Sequence, residues 1–176
     1  SNERRILCTV ASEEKTKKLI QAQKRHMHIG VPGHGIVIAV PIKSVGGGKT
    51  VAFLNGETDN AAYTPSLNYA HELIVAVCSQ GCTDMVMNAA RAAGARGGTV
   101  LHGKGTGANG APKFYNITIA QEKEMILIVA AASQKTALMQ SILKKAGPDS
   151  KAGTIVFSLP TTQVAGFALL DNQDET

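Results

Sequence analysis

Tryptophan is absent from this sequence, and aromatic residues make up only 4% of it. Proteins that grip single-stranded nucleic acid stack bases on aromatic rings, so the composition argues against that class of partner. Cysteine is scarce and odd in number, with Cys8, Cys78 and Cys82. No disulfide framework follows from that count, and the expectation is a reducing, cytoplasmic setting. Three residues separate Cys78 from Cys82, where a redox or zinc pair has two, so they read as buried or incidental thiols. Long apolar runs are missing as well. Met125–Ala132 is among the longest and falls far short of a membrane span. No basic segment followed by an apolar one opens the chain, so no secretory signal is expected. The charge excess is also small: +5, with a pI of about 9.2. That balance modestly favours anionic ligands and is too weak for a nucleic-acid-binding domain.

What remains is a globular composition, 44% hydrophobic and 18% charged over 176 residues, enough for one or two small domains with a real core. Short β-branched runs bounded by Gly or polar residues read as strands: ILCTV (6–10), GIVIAVPI (35–42), ELIVAV (72–77), GTVLHG (98–103), EMILIVAA (124–131) and TIVFSL (154–159). Helices fall between them. Ser12 caps the first, with Glu13 and Glu14 in its opening turn. The second spans 81–95, with Thr83 as its N-cap and Met85, Ala89 and Ala92 on one face. The third begins at Ser133 and ends at Gly147, with Lys144 and Lys145 in its last turn.

The stretch KSVGGGKT (43–50) has the look of a phosphate-binding P-loop. That motif requires Gly five residues before its Gly-Lys pair, where this chain has Lys43. It also requires a helix immediately afterwards, and VAFLNGETDN is not a helix start. An internal repeat explains the stretch better. Ile6 matches Ile126 and Lys15-Thr16 match Lys135-Thr136 at an offset of 120, while Pro41, Val45 and Gly47 match Pro160, Val164 and Gly166 at an offset of 119. Each copy reads strand, helix, loop, strand, Pro, turn. The glycines at 46–48 therefore sit in the tail of the first copy. Beyond them, residues rich in Gly, Asn, Thr and Ala read as a linker.

The second copy is preceded by one more strand, helix and strand. The expected organisation is an incomplete βαβ unit over 1–47, a linker over 48–70, a complete βαβ-βαβ domain over 71–167 and a disordered tail over 168–176. The fold class is α/β in the α+β sense, a ferredoxin-like sandwich with an antiparallel sheet, in a tandem half-plus-full arrangement.

Three stretches carry a family likeness: AGARGGTVLHGKGTG (93–107), FYNITIAQEKEMILIV (114–129) and GTIVFSLPTTQVAG (153–166). Together they resemble the nitrogen-regulatory PII signalling family, from the launch of its T-loop to its last strand. Residues 4–47 resemble the back half of the same domain, with PGHGIVIAVPIKSVGG as its B-loop and final strand. The resemblance implies a PII-like regulator of nitrogen metabolism rather than an enzyme, a homotrimer, and ATP or ADP bound in clefts between subunits. It also implies a protein partner engaged through the loop 104–116. Carried over by position, Lys104, Gly105, Thr106 and Gly107 stand at the family's loop base. In the B-loop, Lys151, Gly153 and Thr154 are the matching residues, with Thr154 where the family has a phosphate-gripping Lys. In the first copy, PGHG offers Gly33, His34 and Gly35, again without that Lys. The family's Arg-Gln after the loop base and its C-terminal Arg-x-Arg have no match here.

Outside that likeness, His26-Met27-His28 forms a His-x-His at a helix end with His34 nearby. Two imidazoles can chelate a borderline metal, which gives an alternative reading as a metal-binding trimer similar to the copper-tolerance proteins of the same fold. A solvated helix C-terminus, where cationic His suits the dipole, accounts for the same residues, and no metal ligand is assigned. No nucleophile, base and orienting group stand together around His102 or elsewhere, so no catalytic residue is expected.

Overall fold

The computed structural model describes residues 5–31, 33–42, 65–105, 113–114, 117–118 and 121–166. The glycine-rich stretch 43–50, residues 48–64 of the expected linker and the tail 168–176 lie outside the described residues, while the last three residues expected in the linker, 68–70, open a strand instead. The chain divides into two compact units, one formed by residues 68–161 and the other drawn from both flanks of that segment.

The central unit is a four-stranded antiparallel sheet with two helices on one face. In chain order it comprises β2 (Asn68–Ser79), α2 (Thr83–Arg91), β3 (Thr99–Gly105), β6 (Gln121–Ala131), a 3-10 turn (Ala132–Gln134), α3 (Lys135–Ala146) and β7 (Ile155–Thr161). A further short pair, β4 (Lys113–Phe114) and β5 (Ile117–Thr118), lies between β3 and β6. The sheet order is β3-β6-β2-β7, so each βαβ crossover skips one strand, the split arrangement of a ferredoxin-like fold. The expected mixed α/β class with an antiparallel sheet is thus the one observed.

Register fixes the two faces. Ile74, Ala76 and Cys78 of β2 and Ile126, Ile128 and Ala130 of β6 turn towards the helices, where they meet Val86, Met87, Ala89 and Ala90 of α2 and Leu138, Ile142 and Ala146 of α3 in one buried cluster. The alternate residues form the other face. Val75 stands opposite Leu127 on one side and Phe157 on the other, and Val77 opposite Met125 and Ile155. Both faces of the middle strands are apolar, which explains the unbroken ELIVAV and MILIVAA runs.

The flanking unit contains α1 (Glu13–Met27), β1 (Val37–Ala39) and β8 (Gln163–Ala165). Ser12 caps α1, its side chain accepting from the Lys15 amide at 3.4 Å. The i,i+4 pairs Glu13–Lys17 and Glu14–Lys18, each 2.6 Å, line its outer surface. β1 pairs antiparallel with β8, Val37 opposite Ala165 and Ala39 opposite Gln163.

Three expectations need correction. Residues 6–10 are not a strand: nothing among the described residues pairs with them, and Ile6 and Leu7 are 43% and 86% exposed. Their counterpart in the second copy lies in β6, which has a strand on either side. The N-cap of α2 is Cys82, without a side-chain cap bond, because the Thr83 hydroxyl is committed to Glu124. The inward stripe of α2 is Val86, Met87, Ala89 and Ala90, with Met85 only partly buried. Among the described residues, no helix is long and apolar enough to cross a membrane.

Candidate ligand-binding site

Because neighbouring strands run antiparallel, one end of the sheet gathers the end of β2, the start of α2, the end of β3, the start of β6 and the approach to β7. A buried carboxylate organises this end. Glu124 of β6 is 6% exposed. Its Oε2 accepts the Thr83 hydroxyl at 2.5 Å and the Thr83 amide at 3.2 Å. The Thr83 hydroxyl, foremost, holds the Glu124 carboxyl below its ordinary range; burial opposes this, and the Gly81 and Thr83 amides and the charge of His102 assist. The arrangement anchors an anion at the first turn of α2, where the helix dipole favours it. His102 stands directly opposite Glu124 in the ladder, its Nδ1 3.6 Å from Oε1, with the ring largely in solvent.

Two residues further along β3, Lys104 faces Glu122 across the ladder at 3.7 Å. Lys104 and Gly105 were expected in a loop base; they are the last two residues of β3, and Gly105 is paired with Gln121. Their partners in that group, Thr106 and Gly107, lie outside the described residues, as does most of the loop 104–116.

The loop 147–154 reaches the same end of the sheet at its other edge. It is knitted to itself: the Ser150 amide and hydroxyl donate to the Gly147 carbonyl at 3.0 and 2.8 Å, and the Ala152 amide donates to Ser150 Oγ at 3.2 Å. The Ser79 amide, donating to the Ala152 carbonyl at 2.9 Å, fastens it to the end of β2. Lys151 and Gly153 remain exposed, Gly153 in the left-handed region at φ 54°. Thr154, by contrast, is 0% exposed, and its Oγ1 has no hydrogen-bond partner. Its side chain is turned away from any ligand at the surface, so only its neighbours present groups there.

Lys104 and Lys151 therefore share an end of the sheet and not an edge. Three strand spacings, about 14 Å, separate β3 from β7. Gly33, His34 and Gly35 belong to the flanking unit, in the loop after α1. His34 Nδ1 there lies 3.1 Å from the Met27 carbonyl oxygen. Sequence reasoning missed Glu124 and Thr83, whose partnership spans 41 residues and has no local signature.

Comparison with known proteins adds a family. Residues 71–167 match the family model for nitrogen regulatory protein P-II. One solved structure that resembles the chain is the crystal structure of Arabidopsis thaliana PII bound to citrate. It has 20% sequence identity and a TM-score of 0.40, over 53% of this chain and 76% of that chain. No curated protein sequence matches.

Proposed function

This chain belongs to the nitrogen regulatory protein P-II family, and on that premise we propose that it is a regulator without catalytic activity. It senses a small anionic molecule, an adenine nucleotide, and relays its state to a protein partner in nitrogen metabolism through the loop 104–116. Its working form is a cytoplasmic homotrimer.

The observation that carries this reading is the placement of Lys104 and the loop 147–154 at one end of the sheet on opposite edges. A polyphosphate lying between two copies meets the β3 edge of one and the preformed loop of the other, where Lys151 and Gly153 stand exposed. Charge-assisted bonds to phosphate contribute about 1.5–3 kcal/mol each. With Thr154 buried, Lys104 and Lys151 are the residues carried over from the family that bring positive charge to the site. The assembly is supported by the sheet face opposite the helices. Ile155, Phe157 and Met125 are 60%, 44% and 38% exposed on it, an apolar surface that another copy of the same chain covers.

Isothermal titration with ATP and with ADP, with and without Mg²⁺ and 2-oxoglutarate, tests the reading. Saturable binding that weakens by about 10- to 150-fold in Lys104→Ala, the equivalent of one charge-assisted contact, supports it. Absence of binding in every combination, or binding indifferent to both Lys104→Ala and Lys151→Ala, overturns it.

A further inference from the structure

The loop after α1 brings two imidazoles together. His28 leaves the helix in the left-handed conformation, φ 54° and ψ 39°, and is the only residue other than glycine with positive φ among the described residues. A β-carbon disfavours that region. The backbone then turns through Gly30, Gly33 and Gly35, at φ 117°, 86° and 108°. Two bonds close the turn, from the Val31 amide to the His28 carbonyl at 3.0 Å and from the His34 amide to the Val31 carbonyl at 3.1 Å. The rings of His28 and His34 end with their centroids 6.1 Å apart, inclined at 74°.

The protonation pattern follows from one contact. His34 Nδ1 lies 3.1 Å from the Met27 carbonyl oxygen. A carbonyl only accepts, so Nδ1 carries the proton of that bond. In the neutral ring this leaves Nε2 with its lone pair free, the tautomer that a backbone carbonyl imposes on metal-binding histidines.

The second copy of the repeat shows that the turn itself does not require imidazoles. At the offset of 119, Gly147 and Gly153 occupy the positions of His28 and His34, and the loop 147–154 contains no histidine. Something other than chain reversal is needed to account for the two rings.

We propose that His28 and His34 form a two-imidazole site for a borderline divalent cation, Zn²⁺ or Ni²⁺, with water filling the remaining positions. Metal–nitrogen bonds of about 2.0–2.1 Å in a tetrahedral arrangement put two ring centres about 5 Å apart. The observed separation is about 1 Å wider, within reach of a rotamer adjustment by two exposed side chains. Mg²⁺ and Ca²⁺ are disfavoured, since both take oxygen ligands. Among the described residues, no group of three or more His, Cys, Asp or Glu is placed to hold a metal, so the site is open and exchangeable. The chelating pair differs from the one in the His-x-His motif: His26 takes no part in the ring contact.

Titration of the full chain with Zn²⁺ and with Ni²⁺, without nucleotide, tests this by calorimetry and against a chromophoric chelator. One equivalent per chain, removed by EDTA, is expected. His28→Ala and His34→Ala each weaken it by about tenfold or more, since loss of groups that merely orient a ligand already costs that much. His26→Ala leaves it unchanged. Circular dichroism of the variants, indistinguishable from that of the parent protein, shows that folding is intact. His34→Gln, which keeps a polar side chain but no imidazole, weakens binding as His34→Ala does. No saturable binding by the parent protein, or binding that survives both single variants, or equal loss in His26→Ala, overturns the proposal. Nucleotide binding is measured separately and is independent of all these outcomes.

Discussion

Replacing Glu124 by glutamine keeps the shape of the side chain and removes the charge around which the end of the sheet is organised. The carboxylate is 6% exposed. It accepts from the Thr83 hydroxyl and amide and from the Gly81 amide. An amide side chain offers one oxygen where the carboxylate offers two, so at least one buried N–H or O–H donor loses its acceptor or meets an NH₂ group. Leaving a buried donor unsatisfied costs about 1–3 kcal/mol. Removing an anion from the first turn of α2 adds about 0.5 kcal/mol. The expected loss is about 1.5–3.5 kcal/mol, or roughly 6–28 °C in Tm for a unit of this size. The pH dependence gives a second, independent readout. The folded carboxyl lies below its ordinary value of 4.5, so its stabilisation is present above the unfolded value and is lost as pH falls through 4.5 towards the folded one. Urea midpoints from pH 7 to pH 3 should therefore fall more steeply for the parent protein than for Glu124→Gln. His102→Ala should cost under about 1 kcal/mol, because its ring is in solvent. A Glu124→Gln variant within about 0.5 kcal/mol of the parent at pH 7, with the same acid slope, would refute the account of this pocket.

Three further outcomes are expected. At Gly98 an added β-carbon meets Met87 Sδ at 3.0 Å, Ile126 Cγ2 at 3.1 Å and Ile128 Cγ1 at 3.3 Å, so Gly98→Ala should destabilise by about 1–2 kcal/mol in urea; an unchanged midpoint contradicts the packing described. At Gly166, φ is 86° and a β-carbon would lie 2.4 Å from the Gly35 carbonyl oxygen. Hydrogen exchange in Gly166→Ala should quicken at Val37–Ala39 while staying unchanged in β2 and β6, and protection at β1 equal to the parent's counts against the β1–β8 pairing. Cys8 is exposed, whereas Cys78 and Cys82 are buried, and burial first, then Glu124, pushes the Cys78 thiol up to about 11. A thiol reagent at pH 8 should titrate one group quickly in the native protein and all three in denaturant; two fast groups would show that the core around β2 opens.

How much of this was legible in the sequence depends on where each element finds its partners. The cap and charges of α1 are local, so Ser12 and the Glu–Lys pairs were readable directly. The strands of the central sheet were readable because their two buried faces demand apolar residues throughout. The inward face of α2 was not, since Met85, Val86, Met87, Ala89 and Ala90 are apolar on several sides and only the position of the sheet selects among them. Thr83 has the chemistry of an N-cap, but its hydroxyl is taken by a carboxylate on β6.

The two copies of the repeat make the same point as an internal control. At the offset of 120, the start of α1 at Glu13 corresponds to Ser133, in the 3-10 turn that leads into α3 of the second copy. Both copies form the helix because a helix satisfies its hydrogen bonds within its own segment. The same offset places residues 6–10 on 126–130, in the middle of β6, yet only β6 is a strand. Its amides and carbonyls are met by β2 and β3, and the first copy has no equivalent of either among the described residues. The last strand of the first copy escapes this outcome only in part. β1 is three residues long, and its partner β8 follows the last strand of the second copy in the sequence. A strand is therefore a property of its neighbours as much as of its residues. The candidate ligand site follows the same logic. Lys104 at the end of β3 and Lys151 in the loop before β7 lie far apart in sequence, and the pairing of the strands between them is what brings both to one end of the sheet.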